Sequence, residues 1–164
     1  MTHTLIRSGL LLSAVLAVSA CSLESTVISN ASAQSSTPEA MLPHMVVYKS
    51  PTCGCCQSWV DYVDKAGFSV ETIDLENVDP IKVAHGLSDP QLKSCHTAIV
   101  DGYVIEGHVP VSDIERLLAE RPDVTGLTAP GMPMMSPGMG SETPKNYDVL
   151  AFDKQGRTRV YSSY

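Results

Sequence analysis

No run of basic residues occurs anywhere in this chain. Its 164 residues hold 11 Lys and Arg against 18 Asp and Glu, a net charge of −7. Recognition of a phosphate backbone needs clustered cations, so a nucleic-acid partner is excluded. A long apolar run is missing as well. The longest candidate is Gly9 to Ala20 (GLLLSAVLAVSA), too short for a comfortable membrane span. Internal repeats and a second folded domain are also absent from the pattern.

The apolar run follows directly on Arg7, the only charge before Cys21. A short basic start and a short apolar core are the layout of a secretory signal over residues 1–20. Val18-Ser19-Ala20-Cys21 then resembles a bacterial lipobox, which predicts cleavage before Cys21 and lipid on its sulfur. The alternatives are plain cleavage after Ala20 or near Ala33. Ser22, rather than Asp, after the cysteine suits the outer membrane of a Gram-negative cell, so the expected location is the periplasm, on a lipid anchor. Residues 21–43 read as a lipidated N-terminus and tether. Six serines and two prolines between Ser22 and Pro43 bury too little surface to fold and span roughly 25 Å as a coil. Ten basic and eighteen acidic side chains remain after Ala20, a net charge of −8. Residues 44–164 are enough for one core.

Met45 to Tyr48 is a short apolar run bounded by Pro43 and Pro51, and it reads as a buried strand. From Cys55 the period becomes helical, through Trp59, Val60, Val63 and Ala66, with Gly67 as the stop. Phe68 to Leu75 alternates as a second strand, and the crossover length makes the pair parallel. Asp79 to His85 is a helix with Pro80 in its first turn; a further short helix starts at Asp89. Asp101-Gly102 between β-prone runs predicts a hairpin. Ser112 and Glu115 form a capping box for a helix to Glu120. Residues 126–144 (GLTAPGMPMMSPGMGSETP) carry four glycines, four prolines and four methionines and read as a Met-rich loop. A hairpin, Tyr147 to Phe152 and Thr158 to Tyr161, closes the chain. The fold class is α/β, β-α-β-α-β-β-α, followed by that loop and hairpin.

KSPTCGCCQSW, Lys49 to Trp59, places three cysteines in four positions. Cys53 and Cys56 form a C-x-x-C where strand becomes helix. Free N–H groups and the helix dipole stabilise a thiolate there, the form that both attacks disulfides and binds soft metals. The arrangement resembles the thioredoxin fold from Met45 to Glu120, with two departures. Where that fold carries a cis-proline, this chain has Cys95-His96-Thr97, and Cys55 is surplus to disulfide exchange. Both favour a metal over exchange. In an oxidising compartment four cysteines also raise the possibility of two structural disulfides, but three of them are clustered too closely for a good scaffold.

If Cys95 stands where the proline would, it lies beside Cys53, and Cys53, Cys55, Cys56 and Cys95 supply four thiolates. His96 alternates with Cys95 on a strand, so ligand and structural roles stay open. His108, in Gly107-His108-Val109-Pro110, is weighed evenly between them. Met132, Met134, Met135 and Met139 offer thioethers, which suit Cu(I), or else pack the loop over the active face; Met132 and Met139 are retained as ligand candidates. Zinc is the rival metal, yet the paired C-x₂-C of zinc ribbons is missing, and adjacent Cys55 and Cys56 suit a multinuclear thiolate cluster better than one tetrahedral ion.

The stretches Ser50-Pro51-Thr52-Cys53-Gly54-Cys55-Cys56, Ser94-Cys95-His96-Thr97, Gly107-His108-Val109-Pro110, Pro130-Gly131-Met132-Pro133 with Ser136-Pro137-Gly138-Met139, and Tyr147-Asp148-Val149 together resemble the CopG-type secreted copper-resistance proteins. That resemblance implies a thioredoxin-like domain binding copper through its cysteines in the periplasm, as a redox-active multi-copper cluster, with copper ions and other copper-handling proteins as partners. The alternative from the residues alone is a thiol-disulfide oxidoreductase with Cys53 as nucleophile and Cys56 as resolver. A third is a domain merely stapled by zinc or disulfides.

Overall fold

The computed structural model describes residues 42–164. The signal, Cys21 and the tether up to residue 41 lie outside the described residues; Leu42, at the tether's end, is half-buried against the main core. β1 (His44–Lys49) leads through α1 (Gly54–Lys65) to β2 (Ser69–Asp74). α2 (Asp79–Ala84) and a 3₁₀ turn (Pro90–Leu92) precede the hairpin of β3 (Thr97–Val100) and β4 (Tyr103–Gly107). α3 (Val111–Glu120), β5 (Gly126–Ala129) and the hairpin of β6 (Asp148–Phe152) and β7 (Thr158–Ser163) complete the domain. The seven strands form one mixed sheet in the order β2-β1-β3-β4-β5-β6-β7.

Most elements lie where the pattern puts them. β1 and β2 are parallel. Asp101 and Gly102 both take positive φ, 48° and 84°, which is what a two-residue hairpin of primed type requires. Two expectations are corrected. Ser112 does not cap α3: Pro110 is the N-cap and makes no side-chain cap bond. The free Val111 N–H donates to the Tyr62 hydroxyl at 3.1 Å instead, a tertiary contact that local sequence does not encode.

The second correction concerns the loop expected over 126–144. Its first four residues are β5, fully buried and parallel to β4. Gly126 looks like a chain breaker, but it stands opposite Val104, and any Cβ there would collide with the Val104 backbone. The glycine admits a close backbone approach. The remainder of the loop, from Pro130, stays irregular apart from an isolated bridge between Ser94 and Gly131.

Trp59, Val60 and Val63 on α1 and Ile114 and Leu117 on α3 pack with Met45, Val47, Ala98, Val100, Ile105 and Leu127 in the main core. Val104 and Phe152 join Leu87 and Leu92 in a smaller cluster. Side chains alternate across a strand, so Val104 and Ile105 mark opposite faces of the sheet. Register then sets where the chemistry falls. Tyr48 pairs with Thr97, Thr97 with Glu106, and Gly107 with Ala129. The C-terminal ends of β1, β4 and β5 and the start of β3 therefore meet at one end of the sheet. The chain leaving or entering there carries Cys53 to Cys56, Cys95 to His96, His108 and the Met-rich loop.

Candidate metal centre

Cys53 is the N-cap of α1, with extended backbone (φ −80°, ψ 94°). Its sulfur accepts the Cys56 N–H at 3.3 Å, taking one of the donors a helix start leaves free. Cys53 and Cys56 are joined as a disulfide, with Cα atoms 5.3 Å apart. Cys55 and Cys95 are free thiols, both half-buried. Cys55 Sγ lies 3.5 Å from Cys53 Sγ. The sulfurs of Cys53, Cys55, Cys56 and Cys95 all fall within 4.8 Å of one another. The convergence expected across 42 positions of sequence is therefore present, with two of the four sulfurs bonded to each other.

Burial pushes the Cys95 thiol up to about 11, helped by the neighbouring Cys55, while the Ser94 hydroxyl pulls the other way. Cys95 is thus a protonated thiol at neutral pH. A metal would have to displace that proton, as thiol ligands generally require.

Two imidazoles flank Cys95. His108 Nε2 lies 3.2 Å and His96 Nδ1 3.4 Å from its sulfur. The three donors form a second group within 4.8 Å. Both histidines are fully buried. Burial holds His96 well below the usual imidazole range, and the nearby His108 and Lys82 act in the same direction. His108 is also lowered by burial, partly offset by its bond to Pro137. His108 Nδ1 lies 2.8 Å from the Pro137 carbonyl. A carbonyl only accepts, so Nδ1 carries the proton and Nε2 presents its lone pair to Cys95. Trp59 packs against His96 with the rings tilted by 42° and their centroids 4.5 Å apart, and it donates its indole N–H to the Val109 carbonyl at 2.9 Å.

The Met-rich loop is held across this end of the sheet through backbone contacts. The Ser94 hydroxyl donates to the Gly131 carbonyl, and Pro137 accepts from His108. Gly138 sits on the first turn of α1; a Cβ there would stand 2.8 Å from Trp59 N and 2.9 Å from Cys55 O. Met132, Met134 and Met135 are exposed, with Met132 at 58% and Met134 at 68%. Met139 is half-buried.

Sequence reasoning missed the support beneath Cys95. Glu106, fully buried on β4, accepts from Lys82 Nζ at 2.5 Å, from the Ser94 N–H at 2.6 Å and from the Thr97 hydroxyl at 2.7 Å. Lys82 also donates to Thr97 at 2.9 Å. Burial raises the Glu106 carboxyl, and Lys82 and the two other donors counter it. Glu106 thereby clamps both ends of the Ser94–Thr97 segment. The available signal was a lone carboxylate inside Tyr103-Val104-Ile105-Glu106, an apolar strand where a charge demands a buried partner.

The donor set is soft. Thiols and neutral imidazoles make up both groups, and no carboxylate joins either among the described residues. Such sites suit copper or zinc, not magnesium or calcium. Among the described residues no helix is long and apolar enough to cross a membrane. A family model described as "Protein of unknown function, DUF411" matches residues 92–139, the span that carries Cys95, His96, His108 and the methionine loop. No curated protein matches the chain. Two solved structures, titled copper resistance protein copG in Form 1 and Form 2, are each 34% identical to it, with a TM-score of 0.68. The match spans 75% of this chain and 98% of each of theirs. Covering nearly their whole length at that identity, the chain belongs to the CopG copper-resistance family.

Proposed function

We propose that this protein binds Cu(I) in the periplasm and serves copper tolerance. The observation that carries the reading is the meeting of four cysteine sulfurs within 4.8 Å from two distant segments. Thiolates are the preferred ligands of Cu(I). Cys53, Cys55, Cys56 and Cys95 supply them, with His108, Met132 and Met139 as secondary ligands. Full use of the set needs the Cys53–Cys56 disulfide opened by a thiol reductant, two electrons and two protons yielding two thiols. More than one copper, bridged by the adjacent Cys55 and Cys56 sulfurs, fits this donor count, and copper-handling proteins of the same compartment are the partners to expect. Metal analysis of the protein isolated anaerobically from its own cells tests the reading. Copper is the expected content; zinc alone, in copper-fed cells, overturns it.

The lipobox supports an outer-membrane anchor for the same role. Membrane association should be lost in Cys21→Ala, and retention of that variant in the membrane fraction would refute the anchor.

A thiol-disulfide oxidoreductase is the second reading, favoured by the Cys53–Cys56 disulfide at a helix start. It requires insulin-type reductase activity that survives Cys55→Ser and is indifferent to chelator. Activity abolished by Cys55→Ser would remove it.

A further inference from the structure

The disulfide form is not stripped of metal ligands. We infer that Cys95, His96 and His108 form an alternative ligand set, sharing Cys95 with the four-thiolate site, that holds a single Cu(I) ion when Cys53 and Cys56 are joined. This rests on the copper-binding reading above and adds a second binding mode to it.

The geometry is that of a ligand set. Two ring nitrogens face one sulfur at 3.2 and 3.4 Å. A metal bound tetrahedrally, at about 2.3 Å to sulfur and about 2.0 Å to nitrogen, sets S···N edges of about 3.5 Å. Hydrogen bonding alone does not account for the cluster. Cys95 has one S–H, and the His108 Nε2 lone pair takes it, because Pro137 holds the proton of His108 on Nδ1. His96 is then left short. Its Nε2 is buried with no partner. With the proton on Nδ1, Nε2 is a bare acceptor; with the proton on Nε2, the Nδ1 lone pair facing Cys95 is left unused. A cation between the three donors uses the second tautomer's Nδ1 lone pair directly.

The site is also pre-formed. Pro137 orients His108, the Trp59 ring packs against His96, and Glu106 fixes the backbone on both sides of Cys95. None of these contacts involves Cys53 or Cys56, so closing their disulfide leaves the site intact. Binding is a simple exchange at Cys95: the thiol proton leaves to solvent and a Cu–S bond replaces it, with no change of oxidation state.

The test uses the full chain carrying Cys21→Ala, oxidised so that peptide mapping finds Cys55 and Cys95 alkylated and Cys53–Cys56 joined. Cu(I) is added anaerobically against a chromogenic chelator, and X-ray absorption is read at the copper edge. About one equivalent of copper in a nitrogen-rich shell containing sulfur is expected. His108→Gln and His96→Gln should each weaken Cu(I) binding to the disulfide form by more than the 10–100-fold typical of losing an outer-shell contact. In the reduced protein the same substitutions should leave a sulfur-dominated shell. Copper held by the reduced form but not by the disulfide form overturns this inference alone. A sulfur-only shell in the disulfide form with both histidines intact also overturns it, without relying on a histidine variant folding. Absence of binding in both forms sinks this inference together with the copper-binding reading.

Discussion

Cys95 combines a raised thiol pKa with a place among metal-binding donors. At pH 8 a thiol near 11 has about a hundredfold smaller thiolate fraction than one at the reference value of 9.0. Iodoacetamide should therefore modify Cys95 in the disulfide form far more slowly at pH 8 than it modifies the same cysteine in the urea-unfolded chain, with a rate that climbs steadily to about pH 11. Equal rates at pH 8, followed by peptide mapping, would contradict the buried-thiol account. The histidines make an opposite kind of claim. An imidazole held neutral by burial binds fewer protons folded than unfolded, so stability rises with pH through the window below 6.5. Acidification from pH 6.5 should cost up to about 1.4 kcal/mol per pH unit for each such group. Glu106, raised by burial, works in the opposite direction just above its reference value of 4.5. The difference between wild type and His96→Phe in urea denaturation isolates the imidazole. The variant should lose less stability between pH 6.5 and 5.5, and identical slopes would refute the assignment.

Among the elements, the site is made by turns that glycine and a buried ion pair permit. Gly107 (φ +72°) passes so close to Ser94 that no side chain fits, which lets His108 leave β4 toward Cys95. Gly138 (φ +82°) does the same for the methionine loop on α1. Gly138→Ala places a methyl against backbone atoms that cannot retreat, in a conformation costing about 1–3 kcal/mol for non-glycine residues. The loop should lift from α1, read as faster limited proteolysis within residues 131–139; unchanged protection would show that the loop does not depend on this contact. The Lys82–Glu106 pair is tested separately. Lys82→Met leaves a buried carboxylate without its cation, a loss of about 3–5 kcal/mol, and Cu(I) affinity should fall with it because the Glu106 carboxylate that holds Ser94 and Thr97 on either side of Cys95 loses its own partner. A stability change below about 1 kcal/mol in thermal or urea unfolding would rule out a charged pair there.

At the scale of the whole molecule, the sheet end that gathers the donors was legible and its details were not. The order of strands and helices followed from apolar periodicity, the Asp101-Gly102 turn and the glycine stop at Gly67. The meeting of Cys53 with Cys95 was implied by the resemblance to the thioredoxin fold, with Cys95 at the place of its cis-proline. β5 was hidden because Gly126 reads as a breaker when its role is to admit the backbone of Val104. The α3 cap was misassigned because the Val111 N–H is satisfied by Tyr62, 49 positions away. His96 stayed ambiguous because strand alternation cannot register a residue just before the strand begins. Glu106 could have been suspected as a lone carboxylate in an apolar strand, but its partner Lys82, 24 positions away, looks ordinary until the fold places it there.

The central claim is that one metal site draws on all four cysteines. Anaerobic titration of the fully reduced chain with Cu(I), against a competing chelator, measures it most directly when wild type is compared with Cys95→Ser and Cys55→Ser. Tight binding by wild type, with loss of stoichiometry and of affinity in both variants, is the predicted result. Equal binding by wild type and Cys95→Ser would show that the distant cysteine is a bystander and would contradict the account.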